Sequence, residues 1–89
     1  TKGRLAKVHN SIWSNLDSFP FRYPVDPSVI GYYDIIKHPM DLSTLKKRLD
    51  DGTSASWQQF TDDLRLMFDN CFFFNQPESL IYEQARRLR

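Results

Sequence analysis

The side-chain amide of Asn75 is the group whose type and spacing point most directly to a binding site. It closes a series of residues spaced three or four apart, which places them on one face of a helix: Phe60, Leu64, Phe68, Cys71 and Asn75. A buried amide without a hydrogen-bond partner costs about 1–3 kcal/mol. Pro77 predicts that the helix ends near Asn75, because proline lacks an amide hydrogen. We therefore expect this amide either to cap the helix or to bind a ligand.

The other reactive side chains form no catalytic or metal-binding pattern. Cys71 lies on the apolar stripe with no histidine near it in sequence, which favours a small core residue over a nucleophile. His9 and His38 lie far apart and lack further ligands at metal-binding spacing. The adjacent aspartates at 50–51 and 62–63 cannot face each other on a helix. The sequence predicts no enzyme, cofactor or metal site.

Composition indicates one small domain that does not depend on charge for binding. The chain has 89 residues, of which 40% are hydrophobic and 15% aromatic. Its 12 Lys and Arg residues nearly balance 11 Asp and Glu residues, which argues against nucleic acid as the main partner. The single cysteine excludes an internal disulfide and favours an intracellular protein. No apolar run approaches the ~20 residues of a membrane span, and we expect residues 1–89 to be one domain of a longer protein.

The first predicted helix brings apolar side chains to one face and ends where prolines begin. The apolar positions again recur every three or four residues, at Leu5, Val8, Ile12, Leu16 and Phe19. We expect this helix to end near Ser18, because prolines follow at positions 20, 24 and 27.

The segment from Phe19 to Met40 has no helical or strand period, yet it is rich in aromatic and β-branched residues. Connections longer than about 12–15 residues are uncommon in compact domains unless they are functional or disordered. Disordered segments are poor in such residues, so we expect this one to fold onto the helices and line a site. A short helical turn is predicted around Tyr32 to Ile36.

Three further helices follow. Asp41 is predicted to cap the second, which carries Leu42, Leu45 and Leu49 and stops at Gly52. Ser56 and Gln59 predict a capping box at the start of the third. The last is expected to begin near Ser79, to present Ile81, Ala85 and Leu88 inward, and to be cut short by the chain end. The predicted fold is an all-α antiparallel four-helix bundle with a long ordered loop between helices 1 and 2.

From about Leu5 to Arg89, the sequence resembles the bromodomain family. The resemblance is carried by Phe19-Pro20-Phe21, Pro24-Val25-Asp26, Tyr32-Tyr33-Asp34-Ile35-Ile36-Lys37-His38-Pro39-Met40-Asp41-Leu42, Asn70-Cys71 and Phe74-Asn75. It implies a left-handed bundle that binds acetylated lysine, mostly on histone tails, in a pocket between two loops at one end.

The resemblance also assigns roles to individual residues. It implies that Asn75 donates to the acetyl carbonyl and that the hydroxyl of Tyr32 holds a bridging water. Val25 and Phe21 would form the apolar wall and floor, and Ile81 would narrow the entrance. Tyr33 keeps the ordinary interpretation of a packing residue whose hydroxyl reaches the surface.

Some positions differ from the family's usual pattern. Phe19, which with Pro20 corresponds to a shelf beside the opening, stands where many members have Trp. Phe74 stands where many members have Tyr, so a hydroxyl is missing from the pocket region. Ile30-Gly31 replaces the frequent Pro-Asp pair, and either Val29 or Ile30 is expected to line the pocket.

The chemistry of acetyl-lysine suits this set of residues. Acetylation converts a hydrated ammonium into a neutral amide, whereas burial of the bare ammonium would cost several kcal/mol per ion. The carboxylates that the long segment offers, Asp26 and Asp34, are expected at the rim of the pocket. The predicted function is therefore a nuclear module that reads acetylated histone or transcription-factor peptides within a chromatin complex and acts as a monomer. The alternative is a structural interaction domain of the same fold with a weakened or lost pocket.

Overall fold

The computed structural model describes residues 2–53 and 56–88, which fold into helices joined by turns and loops. The longer helices in this part of the chain are α1 (Lys2–Ser14), α3 (Leu42–Asp50), α4 (Trp57–Phe74) and α5 (Leu80–Leu88). A 3₁₀ helix (Leu16–Phe21) and the single turn α2 (Tyr32–Ile35) lie between α1 and α3. Helix α1 packs on α3, α3 on α4 and α4 on α5, while the 3₁₀ helix contacts both α1 and α5. The all-helical bundle predicted from the sequence is confirmed.

Helix α1 ends earlier than predicted, and this changes which side chains face inward. It stops at Ser14, and Asn15 has an extended backbone whose side chain accepts from the backbone N–H of Asp17 over 2.9 Å. The predicted apolar stripe is wrong beyond this break: Leu16 is 87% exposed and Phe19 is 73% exposed. The chain restarts as a 3₁₀ helix, so Ser18 and Phe21 are buried instead.

The predicted starts of the next two long helices are confirmed. The carboxylate of Asp41 accepts from the backbone N–H of Thr44 over 3.1 Å and caps α3. Ser56 and Gln59 form the reciprocal capping box at the start of α4. Each cap satisfies amides that the first helical turn leaves unpaired, so each fixes where its helix begins. Gly52 follows α3 with φ of 82°, as its role as a helix stop requires.

The core consists of two neighbouring clusters. One contains Leu5, Leu45, Leu49 and Phe60, from α1, α3 and α4. The other lies towards the long loop and contains Phe21, Leu42, Met67, Phe68, Cys71 and Ala85. Met40 and Leu64 pack against both clusters. Full burial of such a side chain stabilises the fold by about 1.5–3 kcal/mol. Ile81 and Leu88 are partly buried against the second cluster, and Arg89 lies outside the described residues.

His9 is part of this interior, although it is not among the apolar positions that predicted the first helix. Its Nε2 lies 2.7 Å from the carbonyl oxygen of Leu42, and its ring stacks on Trp13. The carbonyl can only accept, so Nε2 carries the proton. The histidine therefore ties α1 to the first residue of α3. Its Nδ1 is buried without a hydrogen-bond partner among the described residues.

None of the helices described between residues 2 and 88 is long and apolar enough to cross a membrane. The described residues also contain no group of three or more His, Cys, Asp or Glu side chains that could hold a metal ion.

Candidate functional site

A narrow cavity of about 30 Å³ lies where the long loop covers the end of the bundle. Six of the nine residues predicted for the binding site line it: Pro20, Phe21, Val25, Tyr32, Asn75 and Ile81. These come from the 3₁₀ helix, the loop, α2, the end of α4 and the start of α5. A space of this size holds one or two waters at about 10–15 Å³ each. The fold therefore brings residues as far apart in sequence as Pro20 and Ile81 together around a small enclosed volume.

Asn75 is placed at this cavity by the end of α4. It is the C-terminal cap of the helix, with extended backbone angles of φ −98° and ψ 155°. Its side-chain Nδ2 donates to the carbonyl oxygen of Cys71 over 3.1 Å and lies 3.6 Å from the Cys71 Sγ. The two interpretations of this amide are compatible, because Asn75 caps the helix and also lines the cavity. The backbone of Asn75 is therefore not left-handed, although asparagine is often found at helix C-terminal caps because it tolerates that conformation.

Tyr32 is the buried polar group on the opposite element. It is only 7% exposed, and its ring meets the ring of Phe74 edge to face at 4.7 Å. Burial raises the pKa of the Tyr32 hydroxyl, and electrostatic interactions with Tyr33, Cys71 and Asp41 raise it further. The hydroxyl therefore keeps its proton at neutral pH and is able both to donate and to accept.

Hydrogen bonds within the loop and between the loop and the helices hold it above the cavity. The hydroxyl of Tyr33 donates to the carbonyl oxygen of Val25, so it fixes a cavity-lining residue instead of only reaching the surface. The side-chain Nδ2 of Asn70 on α4 donates to the carbonyl oxygen of His38 over 2.8 Å. The backbone N–H of Ser43 donates to the carbonyl oxygen of Arg22 over 3.0 Å. These bonds tie both ends and the middle of the loop to the helices.

Five further residues line the cavity without having been predicted to do so: Tyr23, Met40, Asp41, Met67 and Cys71. Cys71 lies one turn before Asn75, and Met67 lies one turn before Cys71, so helical spacing from Asn75 would have found both. Tyr23 and Met40 lie in the loop, where no period exists to indicate direction.

Asp41 corrects the expectation that carboxylates lie only at the rim. It is 6% exposed and lines the cavity, whereas the sequence indicated only its role as a cap. Its carboxylate accepts from the Ser43 hydroxyl, the Thr44 backbone N–H and the Thr44 hydroxyl. Capping requires Asp41 at the start of α3, and the fold places that start beneath the cavity.

A broad groove of about 540 Å³ adjoins the cavity on its outer side. Pro20, Tyr23, Val25 and Ile81 line both spaces and so mark the passage between them. Phe19 lines only the groove, with the Arg22 guanidinium carbon 5.6 Å from its ring centre. Asp26 also lines the groove, and hydrogen bonds from the backbone and side chain of Ser28 lower the pKa of its carboxyl.

The remaining predicted site residues lie elsewhere. Phe74 is partly buried and contacts Tyr32 without lining the cavity. Ile30 is 94% exposed, and neither it nor Val29 lines the cavity. The turn from Asp26 to Gly31 explains this position: Val29 N–H donates to the Asp26 carbonyl and Tyr32 N–H donates to the Val29 carbonyl, which leaves Ile30 at the outside of the bend.

Comparison with known proteins identifies this arrangement. The bromodomain family model matches residues 5–87. The chain belongs to the bromodomain family. A bromodomain-containing protein of Schizosaccharomyces pombe is 45% identical over 76 residues, which cover 82% of this chain. The same alignment covers 10% of that relative, so this bromodomain spans about a tenth of the relative's length.

Membership in this family explains the combination of an apolar cavity and a terminal amide. Bromodomains are helical modules that bind acetylated lysine, and proteins that contain them are generally associated with chromatin. Cys71 in this bromodomain is buried, and burial raises the pKa of its thiol, although the hydrogen bond from Asn75 acts in the opposite direction. A protonated thiol is a poor nucleophile, so Cys71 contributes to the cavity wall.

Proposed function

We propose that this bromodomain binds acetylated lysine in histone tails or transcription factors, with Asn75 as the donor to the acetyl carbonyl. The observation that carries the proposal is the position of the Asn75 amide on an otherwise largely apolar cavity. Nδ2 carries two hydrogens, and the bond to the Cys71 carbonyl at 3.1 Å needs one of them. The other hydrogen has only the weak acceptor Sγ of Cys71 at 3.6 Å, a contact that a ligand carbonyl oxygen would replace.

The cavity and groove suit the two ends of an acetyl-lysine side chain. The acetyl group would replace the one or two waters that the cavity accommodates, and its carbonyl oxygen would meet Asn75 and Tyr32. The aliphatic stem would pass between Val25 and Ile81 into the groove, which has room for the peptide backbone. A net hydrogen bond contributes roughly 0.5–1.5 kcal/mol and each buried methylene about 0.8 kcal/mol, so single-site binding should be micromolar or weaker.

The carboxylate of Asp41 affects how strongly the cavity rejects unmodified lysine. Its charge offsets part of the cost of burying an ammonium. An ammonium, however, also requires acceptors for three hydrogens, and the Asp41 oxygens already accept from Ser43 and Thr44. The neutral acetyl-amide requires only a donor for its oxygen, which Asn75 supplies.

Titration by NMR with one peptide in two forms tests the proposal. The acetylated histone peptide should shift the backbone amide signals of Val25, Tyr32 and Asn75, and the unmodified peptide should not. Asn75→Ala should abolish these shifts, while Asn10→Ala, which removes an exposed asparagine from α1, should leave them. Equal responses to both peptides, or an undiminished response in Asn75→Ala, would show that the proposal is wrong.

A second candidate function is a structural interaction domain whose pocket is too small to bind. The small cavity and the exposed aromatic rings of Phe19 and Phe73 favour it. It predicts that no peptide on a saturating acetyl-peptide array binds, and that a partner protein binds equally well to the wild type and to Asn75→Ala.

The same proposal extends to the cellular setting. We infer a nuclear protein that takes part in a chromatin or transcription complex, in which this bromodomain recognises a mark and performs no chemistry of its own. The family, and the large size of the matched relative compared with this chain, support that view.

A further inference from the structure

We propose that Asp41 makes the pocket select acyl-lysines by charge, so that it accepts neutral short acyl groups and rejects those that end in a carboxylate, such as malonyl-lysine. This inference rests on the proposed function, because it concerns the same cavity. It assigns to Asp41 a specificity role in addition to its role as the cap of α3.

The position of Asp41 carries the argument. It is 6% exposed and lines a cavity of about 30 Å³, so an acyl group inside that cavity lies close to this residue. Three hydrogen bonds from Ser43 and Thr44 hold its carboxylate in place as an acceptor. A negative charge is therefore fixed in the wall of the pocket.

The influence of this charge already extends to the ligand-binding groups. Burial is the main cause of the raised pKa of the Tyr32 hydroxyl, and Asp41 adds the smallest contribution after Tyr33 and Cys71, which places Asp41 within electrostatic reach of this hydroxyl. A second negative charge brought by a ligand would meet the same unfavourable field. Like charges in a site with little water oppose each other strongly.

Among the residues that the structure describes, none that lines the cavity is a cation that could compensate an acidic ligand. The side chains that line it include neither Lys, Arg nor His. Arg22 lines only the outer groove, where its guanidinium donates to the Trp13 carbonyl over 2.8 Å and to the Ser18 hydroxyl over 3.2 Å. An acyl carboxylate would thus lose its hydration, gain no ion pair and face Asp41.

The test compares two acyl groups of the same shape and different charge. Malonyl-lysine ends in a carboxylate, and malonamoyl-lysine ends in the matching neutral amide. Each is placed in the peptide Gly-Gly-Lys-Gly-Gly, and dissociation constants are measured by NMR titration beside the acetyl-lysine form. We expect the wild type to bind the malonamoyl peptide at least about tenfold more tightly than the malonyl peptide.

Two variants separate the wall charge from other charges. Asp41→Asn keeps a residue that caps helices as well as aspartate does, so α3 should still form, and Asp41→Ser is a second capping variant. Both should reduce the tenfold difference to about threefold or less. Asp26→Asn removes one carboxylate from the groove and should keep the wild-type difference.

Each outcome decides the matter. The inference is overturned if the wild type binds both malonyl forms alike or neither of them, if the Asp41 variants keep the full difference, or if Asp26→Asn removes it equally well. Failure of the acetyl peptide itself to bind overturns the proposed function instead, and the two failures are thereby distinguished.

Discussion

The side chain of Asn75 is bonded to the carbonyl oxygen of Cys71, one turn earlier on α4, over 3.1 Å. The backbone N–H of Asn75 donates to the same oxygen over 3.0 Å. The turn that ends the helix therefore also orients the amide that faces the cavity. A group held in place before the ligand arrives loses little conformational freedom on binding, which favours affinity.

Replacement of Asn75 by Asp should separate donation from shape. The carboxylate is nearly the same size but cannot donate, and it would face the acetyl carbonyl with a like partial charge. We expect at least about a tenfold loss of acetyl-peptide affinity by isothermal titration calorimetry, equivalent to about 1.4 kcal/mol. Asp also places a negative charge at a helix C-terminus, so the free energy of unfolding should fall by about 0.3–1 kcal/mol. Retained affinity would exclude Asn75 as the donor.

Tyr33→Phe should weaken binding through the loop. The variant loses the hydroxyl that donates to the Val25 carbonyl, so the free energy of unfolding should fall by about 0.5–1.5 kcal/mol in urea denaturation. Acetyl-peptide affinity should fall too, because Val25 lines the cavity. Tyr82→Phe is the matched control, since its ring packs on Phe72 and no hydrogen bond of its hydroxyl is seen in the described part of the chain. Equal effects in both variants would contradict the role of Tyr33.

His9 offers a test of the bond between α1 and α3. His9→Leu keeps much of the volume but removes the donor to the Leu42 carbonyl, so we expect a loss of about 1–3 kcal/mol in the free energy of unfolding. His9→Gln places an amide donor near the position of Nε2 and should lose less. Thermal unfolding followed by circular dichroism measures both variants. The same loss in both would mean that packing, and not the hydrogen bond, explains the burial of His9.

The fold should lose stability at alkaline pH, because two groups that line the cavity, Cys71 and Tyr32, have raised pKa values. Burial raises the pKa of the Cys71 thiol above its ordinary 9.0 and that of the Tyr32 hydroxyl above 10.0. Both groups hold their protons more tightly in the folded state, so unfolding releases protons in this range. The stability they provide is complete below about pH 9 and declines as the pH rises through the folded-state values.

Urea denaturation at a series of pH values from about 8 to 11 measures this decline. Cys71→Ala removes one of the two groups and should make the decline shallower, whatever its effect at neutral pH. A slope unchanged by Cys71→Ala and by Tyr32→Phe would place the responsible groups elsewhere.

The helices were predictable because their determinants are local. Asp41 and Ser56 cap their helices through bonds to residues three positions later, and the spacing of Phe60, Phe68 and Cys71 alone indicates the buried face of α4. The prediction failed where periodicity was extended through a break. Asn15 interrupts the first helix, so Leu16 and Phe19 no longer share the face of Leu5.

The candidate site was predictable to the extent that motif residues carried it. The cavity at the end of the bundle is lined by Pro20, Phe21, Val25, Tyr32, Asn75 and Ile81, which are among the residues that the family resemblance indicated. Ile30 does not, because the direction of a side chain in a loop depends on the turn that the backbone adopts. The roles of the lining residues remain predictions for the binding experiments above.

By itself the sequence determined the helices, their caps and the family, because these depend on neighbours within one or two turns and on a long motif. Only the tertiary structure placed His9 against Leu42, 33 residues away, and Asn70 against His38, 32 residues away. Only the tertiary structure showed that Asp41, the cap of α3, also lines the cavity. Such contacts depend on how segments that are distant in sequence pack together, and no periodicity or motif along the chain indicates which residues will meet.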